Sequence, residues 1–351
     1  SIFQANFPFS PLRFPFFYGW CIVIFTTLGM IASIPGQTMG VGVYTDFLIQ
    51  NSHLTRMQIS MAYMTGTILS SLLLPLAGRY YDLVGGRIMI VFAGIGMGIS
   101  LLLFAESLTI IHLVHSLLPN ISILTSELLV ITVIFLLLRQ FGQGIMAMVS
   151  RNTLAKWFER RRGMVSGISG IFVAFSFSGA PLFMNIIIED YGYSGSMILM
   201  AIIFGFGMAF IGWLFFRDKP EDCGLLMDGD KITSLDTTNL FPEPETTLKE
   251  ALRTYNFWIF CLGLCSAAVI VTGLTFHISS IGALAGLSRM EAYGLFLPMS
   301  VISVISHFFA GWASDRMPLK YLLMILLAGL AVGSLGILNL ESFWFRLMLI
   351  I

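Results

Sequence analysis

Hydrophobic residues in this chain are grouped into long continuous runs, separated by short polar segments. Nine runs approach or exceed the roughly 20 residues that a helix needs to cross the hydrocarbon core of a bilayer. A further run begins near Phe343 and continues to the last residue, Ile351. The pattern predicts an all-α transmembrane protein. The nine predicted spans cover residues 17–43, 58–80, 88–105, 128–150, 163–188, 195–216, 255–284, 291–313 and 320–339.

One long polar stretch, residues 217–254, separates the first six predicted spans from the last three. It is rich in acidic residues and contains Pro242 and Pro244, which is typical of a linker rather than of a span. We therefore expect an N-terminal six-helix bundle over residues 1–216, a cytoplasmic loop between bundles over residues 217–254, and an incomplete C-terminal bundle over residues 255–351.

The distribution of Lys and Arg predicts the orientation of the spans. When the N-terminus is placed inside, nearly all basic residues fall in the cytoplasmic loops, and only Arg56, Arg289 and Arg346 fall outside. Cytoplasmic loops of membrane proteins carry this excess of positive charge. We expect an inner-membrane protein whose N-terminus and central loop are cytoplasmic, with residues 106–127 on the opposite side.

An internal repeat relates the two parts of the chain. With an ungapped offset of 233 residues, residues 54–58 align with residues 287–291, and Asp82 aligns with Asp315. Thr55 with Gln58, and Ser288 with Glu291, each have the spacing of a capping box that opens a helix. Since six spans separate the copies, both halves have the same orientation in the membrane, as in transporters built from parallel repeats. About three helices of the second half are then expected to be missing, and we do not expect these 351 residues alone to transport a solute. The alternative is a natural nine-span protein.

Composition agrees with a membrane protein and excludes several other classes. Only 11% of the residues are charged, against about 25% in soluble domains. A net charge of zero argues against nucleic acid as a partner. The four cysteines form neither a disulfide framework nor a zinc motif. No phosphate loop, dinucleotide motif or catalytic triad stands out, so we expect neither an enzyme nor a cofactor.

A ten-residue segment after the second span resembles the cytoplasmic loop signature of the major facilitator superfamily. Gly78, Asp82, Gly85 and Arg87 match that signature, whereas Leu83 and Gly86 stand where basic residues are usual. A weaker second copy contains Gly311, Asp315 and Arg316. The resemblance implies a conformational latch in which the acid accepts hydrogen bonds from a neighbouring helix start or guanidinium. The alternative is a simple charge at the end of a helix.

Arg139 is the one basic residue placed well inside a predicted span. An arginine at this depth costs about 2.5–3.5 kcal/mol on insertion scales, so it is expected to face the bundle interior or an aqueous cavity. Residues 139–144 also resemble the fourth-helix pattern of the superfamily, which implies a role in proton coupling. The alternative is an arginine near the membrane boundary whose head group snorkels to water.

Other polar residues within the spans are candidates for contact with a solute or a proton. Gln37 follows Pro35 and Gly36, which predict a kink. His277 in the seventh span can titrate near neutral pH. For each residue the alternative is a hydrogen bond between helices. The candidate set for substrate or proton coupling is Arg139, Gln143, His277, Gln37 and Asn152.

Three further segments resemble the monocarboxylate-transporter branch, including oxalate/formate-antiporter-like members. They are residues 18–20 at the first span, residues 156–164 between spans four and five, and residues 216–225 after span six. The resemblance implies two six-helix bundles, alternating access, and transport of a small organic anion with a proton or a counter-anion. We expect a monomer in the lipid bilayer. The alternatives are an exporter of drugs or metabolites on the same fold, and a non-transporting fragment or sensor.

Overall fold

The computed structural model describes residues 6–229, 248–314, 316–340 and 342–350. The chain divides into two compact units, Ser1–Gly229 and Asp230–Ile351. Every regular element in the described residues is helical, which confirms the predicted all-α class. The α-helices are α1 Gly19–Ala32, α2 Thr38–Asn51, α3 Arg56–Val84, α4 Gly86–Ala105, α5 Ser107–Leu117, α6 Ile123–Leu138, α7 Ala147–Trp157, α8 Arg162–Met200, α9 Met208–Phe215, α10 Leu248–Ala251, α11 Tyr255–Leu284, α12 Arg289–Gly294, α13 Phe296–Ser314, α14 Leu319–Gly336 and α15 Phe343–Ile350.

Eight continuous helical stretches of the described chain are long and apolar enough to cross a membrane. One of them, Arg162–Phe215, has 54 residues and would extend about 80 Å, far beyond a hydrocarbon core of about 30 Å. Gly192 breaks it, because its backbone is not helical and has a positive φ of 70°, a conformation that favours glycine. This stretch therefore holds two spans, and the described residues contain the nine spans that the hydrophobic runs predict.

The spans are numbered from here by these helices. In the first unit they are span 1 (α1 and α2), span 2 (α3), span 3 (α4), span 4 (α6 and α7), span 5 (α8 up to Gly192) and span 6 (from Tyr193 to the end of α9). In the second unit they are span 7 (α11), span 8 (α12 and α13) and span 9 (α14). Helix α15 begins at Phe343, where the tenth hydrophobic run is predicted to begin.

The two halves of the repeat open spans 2 and 8 in the same way. The Thr55 hydroxyl accepts from the backbone N–H of Gln58, while the Gln58 side chain accepts from the N–H of Thr55. Ser288 and Glu291 form the same reciprocal pair in the second unit. Both predicted capping boxes are confirmed.

Span 1 begins at one end of the first unit, here called the proximal end, and finishes at the opposite, distal end. At the proximal end a buried cluster is built around Trp157, which packs against Tyr18 and Phe17 at ring separations of 5.8 and 5.9 Å. Leu154, Phe158, Val165 and Cys223 belong to the same cluster. Span 1 packs along spans 4, 5 and 6, and span 2 packs chiefly along span 4. Span 4 therefore contacts both span 1 and span 2, and the contact between the middle parts of spans 1 and 4 is called the centre below.

Candidate solute site and coupling residues

Span 1 is kinked at the position where the sequence predicts it. Pro35 lacks a backbone N–H and cannot continue the α-helical ladder, so α1 ends at Ala32 and a 3₁₀ turn follows at Ile34–Gly36. The helix resumes at Thr38. The kink brings the backbone of Gly36 directly against span 4.

Span 4 changes its winding at the same level. Between α6 and α7, residues Arg139–Met146 form a π-helix, an expansion that is frequent at functional sites. Gly142 lies on its contact surface, and a Cβ added there would lie 2.9 Å from the Cα of Gly36. A Cβ on Gly36 would in turn collide with the carbonyl oxygen of Leu138. Two glycines therefore allow the kink of span 1 and the π segment of span 4 to touch backbone to backbone.

Arg139 lies at this contact and is only 7% exposed. Its Nη1 donates to the carbonyl oxygen of Gly36 at 3.5 Å, beyond the usual range for an N–H···O bond. Its guanidinium lies over the ring of Tyr63, 5.2 Å from the centroid, and the Tyr63 hydroxyl is 2.9 Å from that of Thr38. Within the described residues no carboxylate pairs with Arg139. The described residues therefore offer this buried guanidinium few hydrogen-bond acceptors and no counter-charge.

The other predicted residues on spans 1 and 4 lie at different depths. Gln37 is half-buried in the kink, and its Nε2 donates to the Ser33 hydroxyl at 3.0 Å. Gln143 lies in the π segment and is exposed. Asn152 is also exposed, but it lies about 20 Å further along span 4 from Arg139. The structure therefore places Gln37 and Gln143 with Arg139 in the kink and π segment, and Asn152 away from them.

His277 belongs to span 7 in the second unit. It is half-buried, and its ring meets that of Phe276 edge to face. Its role in coupling stays a prediction.

An open groove of about 470 Å³ lies beside spans 2 and 3, but Arg139 does not line it. Its walls are aliphatic and aromatic, and Gln140 of the π segment supplies an amide. The Gln140 amide oxygen accepts from the Ser70 hydroxyl at 2.9 Å. The groove is therefore not the place where the buried cation is presented.

The predicted latch residues at the end of span 2 form a different set of contacts from those expected. Asp82 is exposed and makes no hydrogen bond or ion pair within the described residues. A Cβ added to Gly78 would meet the Met148 sulfur at 4.0 Å, an ordinary van der Waals contact. Asp218, after span 6, instead accepts from the backbone N–H of Arg87 at 2.7 Å, at the start of span 3. Asp218 thus makes the contact with a helix start that the signature predicts for Asp82.

Gly85 connects spans 2 and 3 in a conformation that favours glycine, with a φ of 85°. A Cβ at this position would also collide with the carboxylate of Asp218. Of the second copy of the signature, Gly311 lies in α13 and Arg316 is exposed after it. Asp315 lies outside the described residues. The roles of all these residues in a latch stay predictions.

Two buried arginines hold the N-terminal segment against the proximal end. Arg87 and Arg217 are each 1% exposed. Arg87 donates through Nε to the carbonyl of Trp213 at 2.8 Å and through Nη2 to that of Phe7 at 2.7 Å. Arg217 also donates to Phe7, at 3.0 Å, and its guanidinium lies 4.9 Å from the centroid of the Phe9 ring. Burial lowers the pKa of Arg217 below its ordinary value.

Asp228 fastens the chain after span 6 to the loop between spans 4 and 5. Its carboxylate accepts from the backbone N–H groups of Glu159, Arg160 and Arg161 at 3.0, 2.8 and 3.1 Å. Burial alone would raise the pKa of Asp228, but these three donors hold it below its ordinary value. Trp157 donates to the carbonyl of Arg217 at 3.1 Å in the same region. The three segments that resemble the monocarboxylate branch therefore meet at one end of the first unit.

Several functional candidates are absent from the sequence-based set. Glu127 is buried, with 4% of its surface exposed. The hydrophobic run predicts that span 4 begins at residue 128, but α6 begins at Ile123, so Glu127 lies inside the span. Tyr63 carries no polar pattern that distinguishes it from other aromatic residues of span 2. Asp218 and Asp228 are part of a polar linker by composition, and only their long-range contacts reveal their roles. A carboxylate at the border of an apolar run is the one signal that could have indicated Glu127.

The family model of the Major Facilitator Superfamily matches residues 21–351. The chain belongs to the Major Facilitator Superfamily. It is accordingly an integral membrane protein and a membrane transporter, whose partners include the lipid bilayer and a small solute. A search of curated proteins found no match to the chain. The nine helical spans of the described residues agree with this membership.

Membership in the superfamily indicates where in the first unit a solute site is expected. Secondary transporters with this repeat architecture bind their solutes near the middle of the bilayer, at broken or unwound helices. The described chain contains such a place, where the kink of span 1 meets the π segment of span 4. Arg139 is the buried charge at that contact.

Proposed function

We propose that this transporter moves a small organic anion, in the first instance a monocarboxylate, by alternating access, and that Arg139 receives the carboxylate. The observation that carries the proposal is the state of the Arg139 side chain. A guanidinium has five N–H donors, and within the described residues Arg139 uses one of them, in a long bond to Gly36. A carboxylate can accept two parallel bonds from such a group.

The energetics favour an anionic solute over a permanent internal partner. A charged side chain inside a membrane helix is costly unless it is paired or faces a cavity. Arg139 is buried, and within the part of the chain that the structure describes only the Tyr63 ring face and the Gly36 carbonyl moderate its charge. An arriving carboxylate supplies the missing counter-charge, so its binding relieves part of the cost. A neutral solute offers no such gain.

The other candidate residues take roles in solute contact, in coupling and in the conformational change. Gln37 and Gln143 flank Arg139 as polar contacts for the solute, while Asn152 and His277 serve coupling to a proton or a counter-anion. Gly78, Asp82, Gly85 and Arg87, with Gly311, Asp315 and Arg316, form the conformational latch. The bundles divide at residues 217–254, the N-terminus is cytoplasmic, and the protein acts as a monomer in the inner membrane. The convergence of the three segments that resemble the monocarboxylate branch supports the choice of solute.

The test is uptake of labelled lactate, formate and oxalate into proteoliposomes that contain the purified full-length transporter. Arg139→Ala is expected to abolish uptake while the protein still inserts into the membrane. Arg151→Ala is the matched control, because Arg151 lies on the same span and is exposed. Normal turnover in Arg139→Ala contradicts the assigned role. Transport of neutral drugs in place of the carboxylates supports an exporter, and failure to bind or move any solute supports a non-transporting protein.

A further inference from the structure

Glu127 is the one carboxylate that is buried within a membrane-spanning helix of the described chain. It lies in the second turn of span 4, near the distal end of the first unit. An ionisable residue inside a span is costly and points to a function such as proton transfer. Neither the solute site nor the latch uses this residue.

The partner of Glu127 is His53, in the turn between spans 1 and 2. The backbone N–H of His53 donates to both carboxylate oxygens, at 3.1 and 3.3 Å. The ring Nδ1 of His53 lies 2.9 Å from Oε1. The Glu127 side chain is 5% exposed, whereas that of His53 is 73% exposed. One member of the pair is therefore shielded, and the other is open to protons from the surroundings.

The other charged and titratable groups near Glu127 do not replace His53 as the partner of its carboxylate. Asp46 on span 1 and Arg56 at the start of span 2 form an ion pair with each other. Helix α5 packs against the same part of span 4 and carries His112 and His115. Residues 106–127 contain no Lys or Arg. The described elements around Glu127 thus offer histidines and the Asp46–Arg56 pair, and His53 is the group in contact with its carboxylate.

We propose that His53 and Glu127 form a proton-binding site that couples proton uptake to the solute site, an inference that rests on the proposed function. A proton from solution binds the Nε2 of His53, while the Nδ1–H continues to donate to the carboxylate. The contact then becomes an ion pair between a cationic ring and the carboxylate, and it ties the turn after span 1 to span 4. Loss of that proton leaves a hydrogen bond from a neutral ring to the carboxylate, which is a looser tie.

Spans 1 and 4 transmit this change, because the same two helices form the contact at Arg139. Glu127 and Arg139 lie on one helix, about 18 Å apart along its axis. Gly36, which contacts the π segment, lies on the span that ends just before His53. A change in the distal tie therefore biases the packing of the kink against the π segment. By linkage, the solute and the proton must then change each other's affinity by the same factor.

The first test measures lactate binding to the purified protein by calorimetry at about pH 5 and about pH 8, the range in which histidine titrates. We expect the wild-type affinity to change about tenfold across this range, a typical coupling. E127Q and H53Q should each flatten the dependence to about twofold or less. D46N is the matched control in the neighbouring pair and should keep the full dependence. Full pH dependence in both E127Q and H53Q would overturn the proposal.

The second test separates this inference from the proposed function. Thermal unfolding without solute, at about pH 5 and about pH 8, should show that H53Q is less stable than the wild type and that the difference is larger at pH 5, because only a cationic His53 forms an ion pair with Glu127. H53Q changes an exposed side chain, so it keeps the fold. If Arg139→Gln binds lactate normally but this stability difference is present, the solute assignment fails and the proton site stands. Identical unfolding of the wild type and H53Q at both pH values overturns the proton site.

Discussion

The two places where arginines are buried in the first unit differ sharply in how the protein satisfies them. At the proximal end, Arg87 and Arg217 donate to several backbone carbonyls, and Asp218 caps the helix that carries Arg87. At the centre, Arg139 has one long hydrogen bond and one aromatic face among the described residues. Buried polar groups are normally hydrogen-bonded, so the few bonds of the Arg139 guanidinium need a physical explanation. The proximal arginines are structural, whereas Arg139 keeps its donors available.

Removing a proximal arginine should have the largest effect on stability. Arg217→Ala removes the donor from the carbonyls of Leu214 and Phe216, leaves that of Phe7 to Arg87 alone, and opens space against Phe9. Each buried group left unpaired costs about 1–3 kcal/mol, so we expect a loss of about 3 kcal/mol or more in the free energy of unfolding. Thermal melting in detergent measures it, with the exposed Arg161→Ala as the control. Equal melting of both variants would show that the proximal contacts are not structural.

Separating the backbones of Gly36 and Gly142 should have the second-largest effect on stability. Gly36→Ala places a methyl group against the carbonyl of Leu138 and the Cα of Gly142. Overpacking of this kind costs about 1–3 kcal/mol, and we expect reduced solute uptake as well because Arg139 is displaced. Gly179→Ala on span 5 meets nothing within 4 Å and should behave like the wild type. Undiminished uptake by Gly36→Ala would mean that the close contact does not position the site.

Asp228 offers a pH-dependent check on the proximal end. Its pKa is held below the ordinary value, so its stabilising effect is present at neutral pH and is lost as pH falls through that lowered pKa. We expect Asp228→Asn to cost about 1 kcal/mol at neutral pH and nothing once the pH is well below about 3.9. Asparagine tolerates the positive φ of 58° at this position, so the backbone is kept. A pH-independent difference would assign the cost to something other than the carboxylate charge.

The smallest effects are expected where the two halves of the repeat are alike. Thr55→Ala and Ser288→Ala each remove one side of a capping box. Each should lower the free energy of unfolding by about 1 kcal/mol, while Thr55→Ser should be close to neutral. Melting of the variants measures both losses. If only one alanine variant is destabilised, the two capping boxes do not contribute equally to stability, although the two halves of the repeat share the sequence pattern.

The parts of the fold that depend on local pattern could be predicted from the sequence. The nine spans follow from the hydrophobic runs, the caps from their spacing, and the kink of span 1 from Pro35 and Gly36. The π segment at Arg139 could not be predicted, because hydropathy does not register the winding of a helix. Asp218 contacts a residue 131 positions earlier in the chain, a relation that no local pattern encodes.

The candidate site divides in the same way. Arg139 is conspicuous in sequence because a lone cation interrupts an apolar run. Its contact with Tyr63, and the burial of Glu127 beside His53, depend on how spans 1, 2 and 4 pack. Asp82 carries the recognisable signature, yet within the described residues the contact with span 3 is made by Asp218. The sequence therefore indicates which residue types matter more readily than which residues meet.

The central claim is that Arg139 is kept available for a carboxylate. The most direct measurement is the melting temperature of the wild type and of Arg139→Gln, with and without lactate, formate or oxalate. A ligand that binds only the folded state raises the melting temperature. We predict that a carboxylate stabilises the wild type, and that Arg139→Gln melts like the wild type without solute and gains nothing from the carboxylates. An equal ligand-induced rise in Arg139→Gln, or a loss of stability as large as that of Arg217→Ala, would contradict the account.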